Sequence, residues 1–189
     1  GSICAAVKDW KMPEPRRNTR TSKTPVKSRT IDEYGHLQPQ AIDFEEAVLG
    51  ALMIEKDAYS VVSEILRPES FYDHRHQLLY KAITTLAMRQ QPIDILTVAE
   101  QLRSTGELEE AGGPFYITQL SGKVASSAHI EYHARIIAQK YLARELITFT
   151  SNIQTKAFDE TQDVDDLMQE AEGKLFEISQ KKMKKDYTQ

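Results

Sequence analysis

Cysteine is almost missing from this 189-residue chain, and a single Cys4 excludes an intramolecular disulfide framework while agreeing with a reducing compartment. Long apolar runs are missing as well. No segment approaches the roughly 20 consecutive apolar residues of a membrane span. The longest stretches, such as Ala47 to Ile54, are short and bounded by Glu and Lys, and no apolar signal core precedes the basic run near the N-terminus. These absences predict a soluble, cytoplasmic protein. Glycine is scarce, at 8 residues, and no stretch alternates with the period of a strand. The expected architecture is all-α.

Charge divides the chain. Residues 1–38 carry 8 Lys and Arg against 4 Asp and Glu, and residues 39–189 carry 16 against 24, so the net charge of -4 hides a basic and an acidic part. The first part holds Pro13, Pro15, Pro25 and the run Arg16-Arg17-Asn18-Thr19-Arg20, with few large apolar residues after Trp10. It reads as a flexible, solvated basic tail; electrostatic contact with nucleic acid or an acidic partner is the alternative.

From Gln40 onward the apolar spacing is helical. Ala41 to Glu55 sets Phe44, Val48, Ala51 and Leu52 on one side, and Ala58 to Leu66 makes a second short helix closed by Pro68. Residues 74–90 repeat Leu78, Leu79, Ala82, Ile83, Leu86 and Ala87, with Asp73 as cap. Asp94 caps the next helix, which ends at Gly106, and Gly112-Gly113-Pro114 turns the chain into a helix through Leu120. Residues 39–127 are thus expected to form a globular helical bundle.

A long helix, roughly 128–158 and capped by Ser126 or Ser127, changes its apolar face midway. Ile130, Ala134, Ile137 and Tyr141 form one stripe whose continuation meets Arg144 and Thr148. A second stripe starts one residue over at Leu142, Leu146, Phe149, Ile153 and Ala157, about 100° around the helix. After a polar link, Asp163 caps a last helix with Val164, Met168, Ala171, Leu175 and Ile178 at 4-3-4-3 spacing. Residues 142–158 and 164–180, each about 25 Å long at 1.5 Å per residue, suit an antiparallel helical hairpin, so 128–180 is read as a hairpin domain. One hairpin buries one face internally. Leu146, Ile147, Leu167 and Phe176 are left for another surface, and with Phe149, Ile153 and Leu175 they form the candidate partner and oligomer interface.

Catalytic patterns are incomplete. His129 and His133 lie four apart on one helical face, but a zinc protease helix places Glu directly after the first His, and a structural zinc site needs four ligands. Gly122-Lys123 lacks the rest of a phosphate loop, since Ile117 stands where a glycine is needed and Val124 where Ser or Thr is needed. Carboxylates read as exposed helical positions with no Ser, His and Asp set among them, and Lys181 to Lys185 as a helix end running into a solvated linker. No catalytic, cofactor-binding or metal-binding residue is expected.

The stretch from Gln40 through Ala41-Ile42-Asp43-Phe44-Glu45-Glu46-Ala47-Val48-Leu49-Gly50-Ala51-Leu52 to Met53 resembles the opening helix of the N-terminal domain of bacterial DnaB-type replicative helicases. The resemblance continues through Phe71-Tyr72, His74 to His76, Pro92-Ile93-Asp94, Gly106, Gly112-Gly113, Tyr116, Tyr132, Arg135-Ile136-Ile137 and Arg144-Glu145-Leu146, and covers about 39–180. It implies a bundle followed by a hairpin whose copies pair, dimer to hexamer, into a collar that recruits primase. A helicase loader is a further partner, and DNA is contacted through the full-length ring. It also implies a RecA-like ATPase using ATP and magnesium after this domain, with 181–189 as the start of the linker. The chain itself is then expected neither to hydrolyse ATP nor to unwind DNA. Two rival readings are the helicase-binding domain of a bacterial primase and a metal-dependent hydrolase built on His129 and His133.

Overall fold

The computed structural model describes residues 35–123 and 129–183, with side chains as far as Lys181. Most of the basic segment 1–38, the Ser126 and Ser127 caps and most of the stretch 181–189 lie outside the described residues. Among those described, the chain forms seven α-helices: α1 (Ile42–Ile54), α2 (Ala58–Ser63), α3 (His74–Met88), α4 (Ile95–Ser104), α5 (Gly113–Ser121), α6 (Ile130–Ala157) and α7 (Val164–Met183), with a 3-10 turn at Pro68–Ser70. The all-α expectation holds.

Local chemistry sets most of the boundaries. The Asp73 carboxylate accepts the Arg75 N–H at 2.9 Å and the Arg75 guanidinium at 2.7 Å, which starts α3. Burial pushes that carboxyl up, but the hydrogen bonds from Arg75 outweigh it and hold the group below its ordinary range. Asp94 and Thr97 exchange reciprocal cap bonds at the start of α4, and Gly106 leaves its end at φ +74°. Pro68 behaves differently from the expectation. The second helix stops at Ser63, and Pro68 opens the 3-10 turn, where the Ser70 hydroxyl accepts the Arg67 N–H at 3.0 Å. Proline without an N–H suits a first turn as well as a stop.

Packing then decides which faces are buried. α1 lies against α3, α5 and α6, so it has no solvent face through its centre: Val48, Leu49, Gly50, Ala51, Leu52 and Met53 are all buried. The one-sided stripe expected for this helix is therefore too narrow, because neighbours close on it from several directions. Phe71, Leu79, Tyr80, Ile83, Val98, Leu102, Ile117 and Leu120 complete the bundle core, which Ile130, Ala134 and Ile137 of α6 also enter. The Tyr80 hydroxyl satisfies itself on the Leu66 carbonyl at 3.2 Å.

At the entry to α5, Gly112 has φ +104°, and a Cβ there would meet the Tyr116 ring at 2.6 Å. Gly106 is also left-handed, but a Cβ on it meets nothing within 4 Å. Gly106→Ala is therefore expected to cost about 1 kcal/mol from backbone strain alone, and Gly112→Ala at least about 2 kcal/mol because the clash adds to that strain. Urea unfolding of both variants measures the difference. Equal losses would mean that the Tyr116 ring yields without cost.

Candidate functional site

Two faces of α6 do different work. Ile130, Ala134 and Ile137 are buried in the bundle, whereas the half beyond Leu142 runs antiparallel to α7. The turn between them is written in side chains. Asp159 accepts the Thr161 N–H at 3.0 Å and its hydroxyl at 2.7 Å, and Asp163 accepts the N–H groups of Asp165 and Asp166 at 2.8 and 3.2 Å, capping α7 as expected. Two ion pairs tie the helices along one flank, Lys156 to Glu170 at 2.5 Å and Lys181 to Glu145 at 3.2 Å. Both pairs are spaced symmetrically about Asp163, which fixes the antiparallel register.

The opposite flank is apolar. Phe149, Ile153, Met168, Ala171 and Leu175, with the stems of Thr150, Gln154 and Glu172, line a shallow groove of about 420 Å³ between the two helices. Here the rotation of α7 differs from the expected one. Leu167 and Ile178 are buried in the seam, at 8% and 3% exposure, while Val164, Met168 and Leu175 are 71%, 58% and 49% exposed. The expected stripe and the observed seam share Ala171 and Ile178. In this rotation Leu167, not Val164, faces inward, and Glu170 and Lys181 lie beside α6 within reach of their partners. Leu167 is thus corrected from a residue left for another surface to one packed inside the hairpin. Of the other interface candidates, Leu146, Leu175 and Phe176 are exposed, and Ile147, Phe149 and Ile153 are half-buried. Phe176 is separate from the apolar flank and lines a cleft of about 720 Å³ where α7 passes the bundle.

Two polar constellations escaped the sequence reading, which took the carboxylates for exposed groups. Glu45 is buried, and its carboxylate accepts the Tyr72 N–H at 2.7 Å and stands 2.6 Å from His76 Nδ1. His76 Nε2 continues the chain to the Tyr116 hydroxyl at 2.7 Å, and the Arg75 guanidinium lies 4.3 Å over the Tyr116 ring. The clue was Glu45 and Glu46 heading an apolar run, and His76 in step with Leu79, Tyr80 and Ile83. The buried Glu46 carboxylate pairs with Lys123, the lysine of the incomplete phosphate-loop pattern. The second constellation is Arg144, where the apolar stripe of α6 ends in the sequence. Its guanidinium instead donates to the carbonyls of Pro39 and Ser70 at 2.7 and 3.0 Å. The His133 and Phe44 rings pack edge to face with centroids 5.1 Å apart, and no cluster of three His, Cys, Asp or Glu that could hold a metal exists among the described residues. No described helix is long and apolar enough to cross a membrane.

The described residues thus form a helical bundle whose long helix extends into a hairpin with an open apolar groove on one flank. The chain belongs to the family of the DnaB-like helicase N-terminal domain, whose family model matches residues 37–139. It is 45% identical over 151 residues to the replicative DNA helicase DnaB of Rhodothermus marinus, covering 80% of this chain and 16% of that protein. It is 39% identical over 146 residues to the replicative DNA helicase DnaC of Bacillus subtilis (strain 168), covering 77% of this chain and 32% of that one. A crystal structure of the N-terminal domain of DnaB helicase from Mycobacterium tuberculosis superposes with a TM-score of 0.70 at 35% identity, covering 74% of this chain and 98% of that domain. A structure of a DnaB-like replicative helicase, described with its interactions with primase, gives a TM-score of 0.61 at 26% identity over 73% of this chain and 31% of the other. The chain therefore spans about a third or less of the length of these curated relatives.

Proposed function

We propose that this chain is the non-catalytic part of a replicative DNA helicase through which copies assemble into a ring and primase docks. The observation that supports it most is the apolar flank of Phe149, Ile153, Met168 and Leu175, left open on a hairpin whose other flank carries the ion pairs. Family membership favours this reading over the helicase-binding domain of a primase. A structural neighbour is a helicase described with primase, which makes primase the first partner to test. On the same reading the basic tail and the linker flank a bundle-plus-hairpin core, a helicase loader is a further partner, DNA is engaged through the full-length ring, and the protein works in the cytoplasm. ATP and magnesium belong to the further length that the relatives possess, and unwinding is an activity of that whole protein.

Calorimetric titration of the chain with a bacterial primase C-terminal domain tests the docking. Ile153 lines the apolar groove and Ile147 lies about 120° around α6 from it, so Ile153→Asn and Ile147→Asn probe separate sides of one helix. Ile153→Asn is expected to weaken binding about tenfold or more, in keeping with the loss of a buried anchor side chain. Unchanged affinity in both variants, with self-association intact, would move the docking surface from the hairpin to the bundle.

A further inference from the structure

Arg144 occupies the turn of α6 at which the helix leaves the bundle. Ile137, two stripe steps earlier, is buried, Tyr141 and Arg144 are half-buried, and Thr148 is exposed. The two carbonyls that the guanidinium grips belong to segments far apart in sequence, the entry to α1 at Pro39 and the end of the 3-10 turn at Ser70. The rings of Tyr72 and Tyr141 flank the guanidinium at 5.3 and 5.7 Å. Burial lowers the Arg144 pKa, an effect opposed first by Glu45, and the phenol of Tyr141 is pushed up to about 12, chiefly by burial.

The α6 residues that enter the bundle core, Ile130, Ala134 and Ile137, are apolar, and apolar burial is non-directional, so a helix held by it alone can roll and tilt by small amounts. A planar fork engaging two fixed carbonyls is directional. Ser63, Arg67 and Ser70 of the bundle line one part of the 720 Å³ cleft, and Phe176, Gln180 and Lys181 of α7 line another. Any tilt of the hairpin about this point changes the distance between those walls.

We propose that Arg144 is a positioning residue, a latch between bundle and hairpin that sets the pitch of the hairpin and so the width of the cleft. The latch is intramolecular and does not depend on what covers the apolar flank. From Arg144 to the hairpin tip at Glu160 the rod is about 24 Å long at 1.5 Å per residue, so a tilt of about 10° moves the tip by about 4 Å.

The test is a spin-label distance measurement on the full chain with Cys4→Ser, labelled at the exposed positions Gln91 and Glu160 and diluted with unlabelled protein so that only distances within one chain are read. The unaltered Arg144 protein should give one narrow distribution. Arg144→Met should widen it or shift it by several ångströms while helicity by circular dichroism is retained, and Arg144→Lys, which keeps the charge without the fork, should fall between. A folded Arg144→Met with an unchanged distribution overturns the latch. Should Arg144→Met fail to fold, Arg144→Lys decides: a widened distribution supports the latch, and an unchanged distribution or a second failure to fold overturns it.

Discussion

His76→Ala is expected to lower the stability of the bundle by about 3–5 kcal/mol, the usual cost of removing one member of a buried polar pair. The imidazole is fully buried, and its loss leaves the Glu45 oxygen that lay 2.6 Å away without its principal partner. It also strands the Tyr116 hydroxyl on the far side of the ring and opens a cavity between α1, α3 and α5. For a folded region of this size such a loss lowers the melting temperature by about 10 °C. Glu45→Gln should be far milder, at about 1 kcal/mol. The amide oxygen still accepts the Tyr72 N–H, and the amide NH2 can donate to the other imidazole tautomer, which then donates onward to Tyr116. Thermal and urea unfolding followed by circular dichroism would give both numbers. A His76→Ala loss below about 1 kcal/mol would mean that the chain of bonds is incidental to the fold.

The second large effect concerns association. Met168→Glu is expected to weaken self-association by about a thousandfold while leaving the monomer folded, because the side chain is 58% exposed in the single chain. Covering a large apolar side chain is worth about 2 kcal/mol. In a two-fold pairing each substitution appears on both copies, so the loss doubles to about 4 kcal/mol, or roughly three powers of ten in Kd. Leu175→Glu, on the same flank, should behave alike. Phe176→Glu separates two geometries, since its ring lines the cleft and not the groove. Sedimentation velocity across micromolar concentrations would show monomers for Met168→Glu beside larger species for the unaltered chain. Dissociation by Phe176→Glu alone would put the contact at the cleft.

Caps and turns were legible because they are local. Asp73, Asp94, Asp163, Gly106 and Gly112 each act on backbone within a few residues, and each marks a boundary in the structure as in the sequence. The rotational setting of α7 was not legible, since a helix lying on one neighbour needs only a narrow seam and two stripes of its apolar residues compete for it. What separates them is which one packs on α6, a tertiary fact: Leu167 and Ile178 are buried there, and Glu170 and Lys181 meet their partners beside them. Arg144 was misread as the end of a stripe for the same reason: its acceptors lie 105 and 74 residues away in the chain. Glu45 and His76 are separated by 31 residues, and a buried pair of this kind leaves only a faint trace, a polar residue in an otherwise apolar register.

The hairpin is chemically one-sided, with Lys156–Glu170 and Lys181–Glu145 on one flank and the open groove on the other. Two copies placed groove to groove occupy each other's groove, and what stays exposed on the rod is of another kind, Phe176 beside the cleft. Growth beyond the pair then calls for a chemically distinct contact, and the two kinds of joint in the resulting assembly would differ in salt sensitivity and in the concentration at which each comes apart.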